Sequence, residues 1–79
     1  MLAKVHVFLK DGVLDVQGKA IEGALHSLGF ADAANVRVGK TIELDLAATD
    51  RAAAEAEARA MADQLLANTV IESYRVEVG

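Results

Sequence analysis

Cysteine, proline and tryptophan are absent from this chain, and it holds one tyrosine and two phenylalanines. Without cysteine there are no disulfides, no thiolate nucleophile and no thiolate metal site, which suits a reducing compartment such as the cytoplasm. Without proline, no helix start has its φ pre-set and no edge strand is guarded by a missing N–H. The scarcity of aromatics leaves few platforms for stacking nucleic-acid bases and makes the core poor in volume. Lys and Arg form no run, and the formal net charge of −4 disfavours binding to phosphate backbones. No apolar stretch approaches the roughly 20 residues of a membrane span. Lys4 and His6 also interrupt the N-terminal apolar segment, so a soluble, unprocessed protein is expected.

What is present is 53% apolar residues in a chain of 79, much of it alanine. That length predicts a single domain, 1–79, and one so small buries only about 60–65% of the surface its unfolded chain exposes. Its stability margin is expected to be thin, and association with other subunits is a natural remedy.

From Ala3 to Leu9 apolar and polar residues alternate, with Ala3, Val5, Val7 and Leu9 on one face and Lys4, His6, Phe8 and Lys10 on the other. This predicts a half-buried strand. After a turn bearing Gly12, Asp15 is placed to cap a helix whose Ile21, Ala24, Leu25 and Leu28 form one apolar stripe, closed by Gly29 and Phe30. A second alternation, Val36 and Val38 and then Ile42, Leu44 and Leu46, flanks Gly39-Lys40 and predicts a hairpin. Thr49 or Asp50 caps a second, alanine-rich helix to about Ala67, with Ala54, Ala58, Met61 and Leu65 facing the sheet. Arg51, Glu55, Arg59 and Asp63 recur at intervals of four on another side and read as a solvated, charge-paired face. Val70 to Val78 supplies the last strand.

The order strand, helix, strand, strand, helix, strand predicts an α+β, ferredoxin-like βαββαβ domain, an antiparallel sheet with two helices on one face. The other face would carry Lys4, His6, Phe8, Arg37, Glu43 and Asp45. Unguarded edges and an exposed Phe8 favour a sheet-mediated oligomer.

Nothing in the pattern composes a catalytic set. His6 and His26 lack Asp, Glu or His partners at metal-ligand spacing. The glycines match no dinucleotide loop, and Gly39-Lys40-Thr41 joins strands where a phosphate loop opens a helix. Ser27 and Ser73 sit in no nucleophile elbow, and Glu43 with Asp45 would need a cleft this domain scarcely provides. Two surface features remain. Arg37, Gly39 and Lys40 form a cationic hairpin tip, and Lys10, Asp11, Asp15, Gln17 and Lys19 crowd the first turn. Each is either a solvated loop or a place where another chain docks.

Three blocks carry a resemblance: Leu9-Lys10-Asp11-Gly12-Val13-Leu14-Asp15-Val16-Gln17-Gly18-Lys19-Ala20; Arg37-Val38-Gly39-Lys40 with Ile42-Glu43-Leu44; and Leu65-Leu66-Ala67-Asn68-Thr69-Val70-Ile71-Glu72-Ser73-Tyr74. In order and spacing, across essentially the whole chain, the sequence resembles the PurS family, the small subunit of phosphoribosylformylglycinamidine synthase. It departs from the family's usual pattern at Val16 and Thr69, where proline is customary. The resemblance implies a non-catalytic role in purine biosynthesis, in a ligase that makes formylglycinamidine ribonucleotide from formylglycinamide ribonucleotide, glutamine and ATP. It implies that a glutaminase subunit releases ammonia, that a large synthetase subunit uses ATP and Mg²⁺, and that the small subunit, a dimer or tetramer, bridges them. No cofactor or metal is then expected on this chain. Lys10, Asp11, Gln17, Arg37, Gly39 and Lys40 are the expected partner contacts, because they carry motif residues that the fold alone does not require. The competing readings are a free-standing metabolite-binding regulatory domain of the same topology and, against the charge, an RNA-binding domain.

Overall fold

The computed structural model describes residues 1–79 and contains β1 (Leu2–Leu9), α1 (Val16–Ser27), β2 (Gly39–Asp45), α2 (Arg51–Met61) and β3 (Glu72–Val78), with a π-helical turn, Ala62–Leu66, continuing α2. The strands form one antiparallel sheet in the order β2-β1-β3, so β1, apolar at every second position, takes the centre. Register places Ala3 between Leu44 and Val78, and Val5 between Ile42 and Val76. One face is therefore aliphatic, and α2 lies on it.

That contact is thin. Ala54, Ala58 and Ala62 are fully buried, and the only larger side chains completely enclosed are Val5 and Val7. Alanine every fourth residue brings the α2 backbone close to the sheet, but each small side chain removes little area from water. Only 10 of the 79 residues are buried, a small core even for a short chain.

The α+β class and the antiparallel sheet agree with expectation, whereas the strand count does not. The predicted hairpin is absent: residues 34–38 are not a strand, and Gly39 and Lys40, expected in its turn, open β2. Asn35 stands in the left-handed region at φ 55° and breaks any extended run. The Val36 and Val38 amides donate to the carboxylates of Glu22 and Asp15, at 3.2 and 2.8 Å, so no strand partner receives them. Alternation was real; the hydrogen-bonding partner was missing.

A second correction concerns α2. Leu65 was expected on the buried stripe but is 83% exposed. The Ala67 amide reaches back five residues to the Ala62 carbonyl at 2.9 Å, and the wider turn carries burial from Ala62 to Ala67, leaving Leu65 outside. The acid-base ladder also holds only in part. Arg59 pairs with Glu55 at 2.9 Å, but Arg51 donates to the Val78 carbonyl and Asp63 accepts the Tyr74 hydroxyl, each at 2.8 Å. Those two tie the helix to β3.

The third difference is the largest. Helix α1 forms as expected: Asp15 Oδ1 accepts the Gly18 amide at 2.8 Å, and the far end closes with Gly29 at φ 100° and the Phe30 amide on the Leu25 carbonyl at 2.9 Å. Yet it does not cover the sheet, and Gly18 is its only buried residue. Its stripe is open, with Ile21 44% and Leu28 74% exposed, and Phe30 beyond it at 56%. The molecule is accordingly long, 48 × 25 × 14 Å, with a radius of gyration of 15.8 Å. A compact chain of this length would have about 12 Å.

Candidate functional site: the corner around Asp15

Helix α1 and the segment that returns along it make an arm, and the arm joins the sheet at Asp15. The Asp15 carboxylate is divided between two chain segments: Oδ1 caps α1 on Gly18, and Oδ2 accepts Val38 N–H just ahead of β2. Those two amides, Val38 first, hold the carboxyl below the ordinary carboxylate range; partial burial opposes them, and the Arg37 charge adds a smaller pull in the same direction. Gly18 lies where the Val36 carbonyl passes, and a Cβ there would collide with that backbone oxygen. Further out, Glu22 accepts Val36 N–H, and His26 Nε2–H donates to the Ala33 carbonyl at 2.7 Å. The return segment is thus held to α1 by hydrogen bonds at three levels.

Two open hollows of about 260 Å³ each flank this root. Gln17, Gly39 and Lys40 line one, together with Asp15 and Glu72; Lys10, Asp11 and Arg37 line the other, with Lys19, Glu22 and Asn35. All six residues expected from sequence as partner contacts therefore meet at one corner of the molecule. Their individual roles differ. The Arg37 guanidinium donates to the Leu9 carbonyl, sits 3.6 Å from Asp11 and lies over the Phe8 ring at 5.7 Å, so it fastens the arm's return to the end of β1. Gly39 has the Phe8 ring and the Val7 carbonyl where a side chain would be. Lys10, Asp11, Gln17 and Lys40 are exposed, and the Lys10 backbone amide donates to the Ile71 carbonyl at 2.8 Å. The sequence places Asp15 as a cap within a crowded polar turn; its hold on the amide ahead of β2 is visible only in space.

The open sheet face carries Lys4, His6, Phe8, Thr41, Glu43, Asp45, Arg75 and Glu77, whereas Arg37 is off it in the return segment. Lys4 pairs with Glu43 at 3.7 Å. His6 Nδ1 shares a hydrogen bond with Thr41 Oγ1 at 2.9 Å, and its enclosed Nε2 has no hydrogen-bond partner, lying 4.0 Å from Glu77. No three His, Asp or Glu side chains converge in a metal-ligating group. His6 and His26 are each tied to a local oxygen, one mid-sheet and one on the arm.

A small antiparallel α+β chain with a projecting helix, an exposed apolar stripe and its motif residues gathered at a surface corner belongs to the class of assembly subunits. Comparison with known proteins specifies the class. Residues 2–79 match the profile of PurS, phosphoribosylformylglycinamidine (FGAM) synthase. The chain is 48% identical over 75 residues to phosphoribosylformylglycinamidine synthase subunit PurS of Bacillus subtilis, covering 95% of this chain and 88% of the relative. Among solved structures, PurS of Methanocaldococcus jannaschii, described as one of the subunits of formylglycinamide ribonucleotide amidotransferase in the purine biosynthetic pathway, superposes with a TM-score of 0.90. Its identity is 35%, with 99% of this chain and 94% of that one covered. A chain in the structure of PurLQS from Thermotoga maritima matches with a TM-score of 0.84 at 29% identity, covering 98% and 96%. The chain belongs to the PurS family, the small subunits of phosphoribosylformylglycinamidine synthase.

Proposed function

We propose that this chain is the bridging subunit of a three-component synthase, holding a glutaminase subunit and a large synthetase subunit in register. Ammonia released by the first is then consumed by the second, which amidates formylglycinamide ribonucleotide at the expense of ATP and Mg²⁺. In this reading the chain itself holds no cofactor and performs no bond chemistry, and it works in the cytoplasm. The observation that carries the reading is the arm: an apolar helix stripe left uncovered on a chain whose motif residues gather at the arm's root. The assembled PurLQS of T. maritima, which contains a chain of this fold, supports it.

The physical reason for a bridge is effective concentration. Ammonia escaping to water is protonated and diluted, and fixing donor and acceptor sites at a short separation raises its local concentration by mass action. The exposed stripe of Ile21, Leu28 and Phe30 suits a second copy, giving a dimer or tetramer that stiffens the bridge. The corner residues Lys10, Asp11, Gln17 and Lys40 face the larger subunits. A metabolite-binding role would call for an enclosed pocket, and nothing in the two open hollows favours it.

Mixed with the glutaminase and synthetase subunits, the chain is expected to co-elute with both in size-exclusion chromatography followed by light scattering. Elution as separate proteins under turnover conditions would contradict the proposal.

A further inference from the structure

Helix α1 has no extended packing against the sheet or α2, so apolar contact does not set its direction. Polar links must do so, and they are unequal. Glu22 with Val36, and His26 with Ala33, join the arm to itself and would persist if the whole arm swung. Arg37 reaches the end of β1 through a flexible side chain that is itself exposed. Asp15 alone binds both ends of the arm at the place where it leaves the sheet, one oxygen on the first turn of α1 and the other on the amide immediately before β2.

We propose that Asp15 is a positioning residue for the synthase reaction, its carboxylate fork clamping the root of the arm and so setting the spacing that the subunit imposes on its partners. The proposal rests on the bridging function above. A carboxylate is needed because both oxygens accept. The bond to Val38 closes a segment spanning 23 positions, and tying such a loop at its base restricts how the arm can swing. An asparagine would still accept from one amide, but its NH₂ group would meet the other N–H donor to donor. Whichever way the amide turns, the fork is broken, and exchange at Gly18 and at Val38 reports which side is lost. Gly18 completes the device: the Val36 backbone can approach the first turn of α1 only because no Cβ is there.

The experiment compares Asp15→Asn with Asp50→Asn in the full chain, alone and assembled with the two larger subunits. Asp50 is also a helix N-cap, accepting the Ala53 amide at 3.1 Å, with no second amide on its carboxylate. Asp15→Asn should speed amide exchange by about tenfold or more at Val38 or at Gly18, whichever the amide group leaves without an acceptor, with exchange in β1 and β3 unchanged. In the complex it should lower glutamine-dependent turnover several-fold while ammonia-dependent turnover holds. Asp50→Asn should change neither Val38 exchange nor the ratio of the two activities. Gly18→Ala, which disrupts the same junction from the other side, should reproduce the Asp15→Asn pattern. The proposal is overturned if Asp15→Asn leaves exchange at both Val38 and Gly18 as it was, if either loosens with no loss of glutamine-dependent turnover, or if Asp50→Asn loses as much. Failure of the unsubstituted chain to support glutamine-dependent turnover would instead overturn the bridging function, and Val38 exchange would still report whether the clamp exists.

Discussion

Two glycines of α1 separate what the helix wants from what the arm needs. Gly23 faces open space, so Gly23→Ala should raise stability through helix propensity by up to about 1 kcal/mol, read from denaturant unfolding. Gly18→Ala carries the same propensity gain but sets a methyl against the Val36 carbonyl, so its expected effect has the opposite sign. Equal melting points for the two variants would contradict the close packing of the return segment on α1. Asp15 adds a pH dependence. Its folded carboxyl titrates below the ordinary carboxylate range, chiefly because of the Val38 amide. The stabilisation it provides is fully present above that ordinary range and is lost as pH falls through the depressed folded value. Val38 amide protection, followed by NMR, should therefore stay level from neutral to mildly acidic pH and collapse only in strong acid. Loss already at mildly acidic pH would show that Asp15 is not the acceptor.

Elements marked by their own caps or by alternation that one buried face satisfies are legible in the sequence. Helix α1 was set by Asp15 and by Gly29 with Phe30, α2 by Asp50, and β1 and β3 by alternation matched to the aliphatic face they share. Residues 34–38 are not legible as a return segment because alternation reports which side chains are alike, not where backbone donors go, and here Asp15 and Glu22 accept those of Val38 and Val36. The clamp is hidden for the same reason, since alternation gives Val38 a strand partner and says nothing of Asp15. The π turn was equally invisible, because no residue in Ala62–Leu66 announces it until burial at Ala67 demands it. The six corner residues were found as two separate blocks, and only the fold shows that they adjoin. At this scale the alanine spacing of α2 is testable. Ala58 is fully buried in the core that α2 shares with the sheet, so Ala58→Leu should cost about 1–3 kcal/mol in chemical unfolding. A neutral result would mean that the interface has slack.

The whole molecule is too extended for its length and too lightly buried to rest on its own core. Both features follow from the arm, and covering the arm's stripe would supply the burial that the chain lacks alone. Leu28→Glu and Phe30→Glu should therefore shift the chain toward monomer in light scattering and lower its melting temperature together, since self-association and stability are linked by mass action. Unchanged mass in both variants would place the self-association surface elsewhere. The claim that joins residue, arm and assembly is that this chain couples two active sites that it does not contain. It is tested most directly by measuring glutamine-dependent and ammonia-dependent synthesis of formylglycinamidine ribonucleotide by the two larger subunits, with and without this chain. The account predicts that glutamine-dependent synthesis requires the chain, whereas ammonia-dependent synthesis proceeds without it. Full glutamine-dependent activity in its absence would contradict the account.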